Sequence, residues 1–391
     1  MDWRKGQKLL EKYNYDAWLF VDYHGRDALT KKIVGLKEDF FTSRRWFYIL
    51  FKEREPIKIV SQIESRALDS LSGETMTYTS LESLQNILGN VLGPCQTVAM
   101  QYAEKGSIPS ISTVDAGIVE LIRALGMKVV SAGDLLQHFT ALISEEGWAS
   151  HKRTGKKILD VRDEVYRQIR RGIDTKQYLS EKEVLDLILA LFEEKGLTAD
   201  HDVPYVAVND HAVIQTFYPT EENSYKITEN SRVILDLWAR EKEEGSIYYD
   251  VTFCAYTGEK VPDTYEEQFQ RVACAREKCV SYIEKHLAQG KLVAGYEVDK
   301  LCRSYFRELG CEEAFVHRTG HNIGREVHGE GANLDSFETH DERRLLPGTL
   351  FSIEPGLYQD EVGVRTEIDV YISPQGTVEI FGERQQKVHC I

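Results

Sequence analysis

The 391-residue chain has no apolar run near the length of about eighteen residues that a membrane-spanning helix needs, which predicts no membrane partner. Basic residues are scarce relative to acidic ones, 48 Lys and Arg against 63 Asp and Glu, for a net charge of −15. Phosphate binding needs concentrated Lys and Arg, so no nucleic-acid partner is expected. The one basic run, HKRTGKK at 151–157, is short and leads into a helical pattern, so it reads as a solvated helix start. No C-x-x-C pair occurs among the seven scattered cysteines; the nearest spacing is Cys274 to Cys279. That disfavours a disulfide framework and a zinc knuckle alike. The opening stretch MDWRKGQKLLEKYNYD is charged and amphipathic and lacks a secretory apolar region. Reduced thiols and absent signals together predict a cytoplasmic location.

What is present is an ordinary globular composition, 42% hydrophobic, and a length that predicts two or three domains. Residues 1–143 read as an α/β domain. LLEKYNYDAWLFVD is a helix running into a strand, RWFYILF and IKIVS are β-rich, and TVAMQY, TVDAGIVELIRALG and MKVVSA continue the alternation. No chemistry motif appears there. Residues 144–391 follow another plan. A long amphipathic helix around KKILDVRDEVYRQIRRG and a second, EKEVLDLILALFEEKG, lead into strands over 203–258. The plan then repeats with EEQFQRVACAREKCVSYIEKHLAQG, YEVDKLCRSYFRELG and strands to the end. Glu183 precedes Gly196 by the same 13 residues that separate Glu297 from Gly310, and Gly172 and Gly290 read as closing the two long helices. These matches suggest an internal duplication of a helix-helix-sheet unit.

The acids of the strand regions fall in unusual places. SRVILDLWAREKEEGSIYYDVTFCAY reads as a hairpin with Asp236 in one strand and Asp250 in the other, at similar distances from the turn, so that pairing brings them face to face. GTLFSIEPGLYQDEVGVRTEIDVYIS reads the same way, with Glu354 and Glu367 interrupting apolar strands. Any one of these acids could sit on an edge strand in water. Four of them, two per hairpin, weaken that reading, because buried carboxylates are costly unless paired. Between the hairpins lies HRTGHNIGREVH, with His317, His321 and His328 in twelve residues. Four carboxylates and one imidazole form a hard, oxygen-rich set. It suits two divalent ions, with Mn, Co, Fe or Zn plausible, and not a structural zinc. Two such ions are hydrolytic machinery.

The order Asp236, Asp250, TGHNIGREVH, SIEPG and VRTE resembles the pita-bread metallopeptidases, which include methionine aminopeptidase, aminopeptidase P and prolidase. The duplicated plan is similar to that fold, and the N-terminal α/β domain looks like the one that aminopeptidase P, prolidase and creatinase carry. The resemblance covers essentially the whole chain. It implies hydrolysis of an Xaa-Pro peptide bond by a metal-bridging hydroxide. By it, Asp236 chelates one ion, Asp250 and Glu367 bridge both, and His321 and Glu354 complete the other. Glu354 also acts as general base. His328 hydrogen-bonds the scissile peptide, His317 helps to form the pocket for the residue after the cut, and Arg365 orients the nearby acids. Gly320 and Gly324 let the backbone pass close to the ions and the substrate. A homodimer acting on small peptides is implied as well.

Three departures stand out. Relatives carry a histidine upstream of the first Asp, where this chain has Thr216 or Phe217; His211 is the nearest candidate to replace it. The Asp236–Asp250 separation of 14 is long. Phe253 stands where many relatives have Arg, although Thr252 matches. The departures keep two alternatives open: a catalytically impaired or non-catalytic pita-bread binding protein, and a creatinase-like amidinohydrolase. Methionine aminopeptidase fits less well, since it normally lacks the N-terminal domain.

Overall fold

A computed structural model describes residues 2–391 and divides into two compact units, Met1–Thr140 and Ala141–Ile391. The first is built on a six-stranded sheet in the order β4-β3-β2-β1-β5-β6. Its strands are β1 (Ala17–Asp22), β2 (Trp46–Phe51), β3 (Ile57–Ser61), β4 (Glu74–Tyr78), β5 (Thr97–Met100) and β6 (Lys128–Ser131). Strands β1, β2 and β3 are buried along their whole length, as their continuous apolar runs require. Helices α1 (Trp3–Tyr13), α2 (Ala28–Val34), α3 (Leu81–Leu92), α4 (Ala116–Ala124) and α5 (Gly133–Thr140) complete this unit.

The second unit is the duplicated α+β architecture of the pita-bread fold. Its first half comprises α6 (Glu145–Asp174), α7 (Glu181–Glu194), β7 (Leu197–Thr198), β8 (Tyr205–Val208), β9 (Arg232–Glu241) and β10 (Tyr249–Tyr256). The second comprises α8 (Asp263–Leu287), α9 (Gly295–Glu308), β11 (Asn322–Ile323), β12 (Leu350–Ile353), β13 (Gly356–Gln359), β14 (Val362–Arg365), β15 (Ile368–Ile372), β16 (Val378–Ile380) and β17 (His389–Cys390). Sheet β17-β10-β9-β7, with β8 on β9, packs under α6 and α7, and sheet β11-β12-β15-β16 belongs to the second half. One core cluster joins α8 and α9 to β12–β15 and to the inner face of β10.

The repeated 13-residue spacing has a physical meaning. Glu183 and Glu297 each reach back to accept the backbone N–H of the residue three before, Ser180 at 2.7 Å and Ala294 at 2.6 Å. Gly196 and Gly310 each take the left-handed conformation, φ +69° and +71°, that ends the same helix. The interval is therefore the run from capping glutamate to terminating glycine. A cation also sits on each capping acid, Lys226 on Glu183 at 2.7 Å and Arg344 on Glu297 at 3.4 Å.

Two local expectations change. Gly172 does not close its helix: α6 runs on to Asp174, and Lys176 is the left-handed residue beyond it. A Cβ at Gly172 would lie 2.8 Å from the carbonyl of Gln177, so this glycine admits the returning chain. The run 151–157 is not simply solvated. His151, Thr154 and Gly155 are buried, while Arg153 and Lys157 pair with Glu241 at 3.1 and 2.8 Å. The helix begins six residues before the basic run, so the run spans both of its faces.

Candidate metal centre

Strands β9 and β10 pair in a register that sets Thr252 opposite Asp236 and Asp250 opposite Trp238. The two aspartates are therefore diagonal neighbours on one face and not directly opposed, which is a correction to the equal-distance expectation. The offset puts a hydroxyl, and not a second anion, across from Asp236.

Glu354 and Glu367 lie where the second hairpin opens. Ladder β12/β15 ends at Ile353↔Ile368 and β13/β14 resumes at Gly356↔Arg365 in the same register, so Glu354 falls opposite Glu367 in a gap between four short strands. Pro355 has no N–H for a ladder bond. The glutamates send their own N–H groups elsewhere, Glu354 to the carbonyl of Thr319 (2.8 Å) and Glu367 to that of Thr252 (3.3 Å). The gap is thereby tied to the histidine loop on one side and to β10 on the other.

Helix α9 anchors the histidine loop. Buried Asp299 accepts from Thr319 N (3.0 Å), Thr319 Oγ1 (2.7 Å) and Arg303 Nε (2.9 Å). Arg303 in turn donates to the carbonyls of Phe315 and His317. The two glycines of this loop differ. A Cβ on Gly320 would stand 2.0 Å from the carbonyl oxygen of Ser352, whereas one on Gly324 meets nothing within 4 Å. Close approach thus demands glycine at 320 and not at 324. Gly320→Ala is expected to lower stability by about 1–3 kcal/mol and to displace His321, while Gly324→Ala stays within about 0.5 kcal/mol of the parent. Thermal melts of both variants check this contrast.

These elements bring the four acids and the one imidazole together. His321 Nε2 lies 3.3 Å from Glu354 Oε1 and 3.6 Å from Asp250 Oδ2. Ligand atoms of Asp250, His321 and Glu367 all fall within 4.8 Å of one another. One oxygen of each of three acids has a partner: Asp236 Oδ2 accepts from Arg365 at 2.6 Å, Glu367 Oε2 from Thr252 at 2.8 Å and Glu354 Oε1 from Ser352 at 3.3 Å. Three further oxygens, Asp236 Oδ1, Asp250 Oδ1 and Glu367 Oε1, are buried with no hydrogen-bond partner. Burial, reinforced by repulsion from the neighbouring acids, holds the carboxyls of Asp250 and Glu367 well above the usual range. Burial pushes Glu354 up to about 7, with Arg365 opposing, and pushes the His321 imidazole well down. Orphaned carboxylate oxygens facing one neutral imidazole fit divalent cations, which would relieve both the desolvation and the repulsion. The donor set suits Mn, Co, Fe or Zn.

Arg365 is buried and makes four contacts: Asp236, Tyr358 OH (2.9 Å), Thr252 Oγ1 (3.2 Å) and Gln215 Oε1 (3.3 Å). Tyr358 OH also meets His317 Nε2 at 3.0 Å, and His317 Nδ1 lies 2.7 Å from the carbonyl of Arg318. The network assigns the Nδ1–H tautomer to His317, and burial beside Arg365 pushes its pKa down to about 3. With both nitrogens engaged, His317 offers ring surface to the cavity and no free donor. His328 stands with its ring 4.4 Å from that of His321, at 66°, also on the cavity wall. The cavity measures about 250 Å³ and is lined by all five clustered residues together with Trp238, Arg318 and Gln215.

His211 does not line this cavity. Buried Glu181 takes its Nδ1 at 2.9 Å, and its ring is stacked between Phe217 and Tyr225. Thr216 is exposed, and Gln215 is the residue of that segment that reaches the cavity. At Phe253, where arginine was the expectation, Arg162 of α6 lies 4.4 Å over the ring and pairs with Glu383 at 2.5 Å. Sequence reasoning missed Tyr358, Gln215, Asp369 and His151. Asp369 Oδ2 accepts the N–H of Asp250 at 2.7 Å, with His151 Nε2 3.8 Å behind it. Its two-residue offset from Glu367 was a legible signal. His151, inside a basic run, gave none.

A model of metallopeptidase family M24 matches residues 149–374, more than half of the chain, and the chain belongs to that family. The solved dipeptidase PepE of Mycobacterium ulcerans superposes with a TM-score of 0.63 at 20% identity, over 99% of this chain and 96% of that one. The X-Pro aminopeptidase of Thermotoga maritima MSB8 gives 0.56 at 20% identity, over 97% and 99%. At these identities the likeness shows the fold. Among curated sequences, an uncharacterized peptidase of Methanocaldococcus jannaschii, MJ0806, is 36% identical over 90 residues, 23% of this chain and 24% of its own length. The probable dipeptidase PepE of Mycobacterium tuberculosis H37Rv is 39% identical over 89 residues, 22% of this chain and 23% of its own. The matches therefore span about a quarter of these relatives. No helix among the described residues is long and apolar enough to cross a membrane.

Proposed function

We propose that the chain hydrolyses the peptide bond before a proline, with two divalent ions held by Asp236, Asp250, His321, Glu354 and Glu367. The observation that carries this reading is the cluster of buried, partnerless carboxylate oxygens around His321. Asp236 would hold one ion, Asp250 and Glu367 would span both, and His321 and Glu354 would complete the other. Such ions, when bound, supply an activated water and a Lewis acid for the scissile carbonyl. Glu354 takes the proton of the attacking water through its carboxylate. His328, on the cavity wall, donates to the scissile peptide. His317 and Tyr358 present a wall to the residue after the cut, and Arg365 keeps Asp236 oriented. Residues 144–391 would carry this chemistry and residues 1–143 the N-terminal domain, in a cytoplasmic homodimer. The names of the M24 relatives, dipeptidase and X-Pro aminopeptidase, support the substrate class.

The test joins metal analysis with a Gly-Pro hydrolysis assay. About two Mn²⁺ per chain and turnover that requires added Mn²⁺ are expected. Background turnover with both ions bound overturns the reading, and so does a chain that binds no ion.

A further inference from the structure

In an antiparallel ladder every second residue turns its N–H and C=O away from the partner strand. Asp250 is one of these: its N–H points out of the β9/β10 ladder and meets Asp369 Oδ2 at 2.7 Å. Among the described residues no strand covers that edge of β10 until β17 pairs with Ala255 and Tyr256. Other groups serve it instead. Two residues before Asp250, the N–H of Tyr248 donates to the carbonyl of Gly324 (2.9 Å), and its carbonyl meets His151 Nδ1 (2.7 Å). Four residues after Asp250, the Gln385 amide bridges the N–H and the carbonyl of Cys254 at 3.0 and 2.6 Å. Asp369 and His151 stand out from these because both can carry charge and both are 0% exposed. Among the described residues the only ion-pair partner of Asp369 is His151, whose Nε2 lies 3.8 Å from Oδ2. Asp369 Oδ1 and His151 Nε2 have no hydrogen-bond partner. A carbonyl only accepts, so the His151 proton is assigned to Nδ1. The imidazole stacks on Trp148 (5.0 Å, 17°) and lies against Tyr249 (4.9 Å), which fixes its plane. A buried acid with so few partners is costly. What it secures here is one N–H, that of a residue read above as spanning both ions.

We propose that Asp369 and His151 are positioning residues for the metal centre. Asp369 holds the main chain of Asp250, His151 holds the chain two residues earlier, and together they fix where the Asp250 carboxylate meets its ions. The proposal rests on the metal reading above and deepens it. Neither side chain touches an ion or the substrate. Asp369 lies two residues after Glu367, so one chain segment carries one of the spanning carboxylates and the tether of the other.

The experiment titrates the metal-free full chain with Co²⁺, whose visible absorption reports the geometry of its ligands, in wild type, Asp369→Leu, Asp369→Asn and Gln385→Leu. Leucine keeps roughly the volume of the acid but has no acceptor for the Asp250 N–H; asparagine keeps the acceptor. Groups that orient metal ligands are worth about 10- to 100-fold in metal affinity. Asp369→Leu is expected to weaken Co²⁺ binding by that factor and to alter the absorption spectrum, and Asp369→Asn to restore most of both. Gln385→Leu removes the same kind of edge bridge from Cys254. It is expected to lower the melting temperature while affinity and spectrum stay at wild-type values, which separates positioning from a purely structural role. Wild-type Co²⁺ binding in Asp369→Leu, an asparagine variant no better than leucine, or a Gln385→Leu variant equally weak for Co²⁺ overturns the assignment while the metal reading stands. A wild type that binds no Co²⁺ overturns both. Should Asp369→Leu not fold, His151→Phe is read in its place, since it keeps a ring in the stack and loses the tether to Tyr248. One neutral hydrogen bond is worth about 2- to 10-fold, so a loss of that size supports the assignment and wild-type affinity overturns it.

Discussion

Glu367→Gln is expected to reduce hydrolysis by at least about 10³-fold, through loss of a carboxylate that we propose both ions share, while making the metal-free protein more stable. The two effects have one cause. Glu367 is 2% exposed, Oε1 has no partner, and repulsion from Asp250 and Glu354 adds to the penalty of its burial. Glutamine keeps the shape and an oxygen for the Thr252 hydroxyl but removes the charge. Breaking a like-charged buried group out of the cluster is worth about 1–3 kcal/mol in the absence of a cation. Thermal melts in EDTA should therefore rise in the variant, and added Mn²⁺, which stabilises the parent by ligand linkage, should no longer raise them. A Gln variant with parental metal content and turnover would remove Glu367 from the centre.

The second large effect concerns Glu354 and pH. Its carboxyl is raised from the ordinary 4.5 to about 7, mainly by burial. Between those values the unfolded chain has released a proton that the folded chain retains, so stability falls as pH rises, by about 1.4 kcal/mol per pH unit and about 3 kcal/mol in all. The buried histidines act with the opposite sign. His151 and His317, pushed down to about 4 and about 3, favour the folded state more as pH climbs toward 6.5. A bare pH profile mixes the two. The difference between Glu354→Gln and wild type isolates the carboxyl: in EDTA the two should match near pH 4.5, and the variant should be the more stable by about 3 kcal/mol above pH 7. Denaturant titrations at both pH values measure it. A constant difference across that range would show that Glu354 does not carry the shift. With Mn²⁺ present the order should invert, because ligation requires the ionised carboxylate.

Much of the architecture was legible because it is written in local chemistry. The capping glutamates Glu183 and Glu297, the terminating Gly196 and Gly310 and the apolar periodicity of four long helices each act within a few residues. The five clustered residues were legible for a different reason: charge stranded in apolar strands is conspicuous anywhere. What escaped was set by contacts distant in sequence. The diagonal placement of Asp236 and Asp250 depends on register. The requirement for glycine at 320 and not at 324 depends on where Ser352 passes, and the capture of His211 depends on Glu181, thirty residues earlier. Tyr358 looked like any strand aromatic until Arg365 and His317 came to it from either side.

The opened hairpin has one more consequence. Asp236 and Asp250 lie in the first helix-helix-sheet repeat, whereas His321, Glu354 and Glu367 lie in the second. On the proposed reading neither repeat would own a complete coordination sphere, and a cation held by all five residues would act as a rivet through the seam.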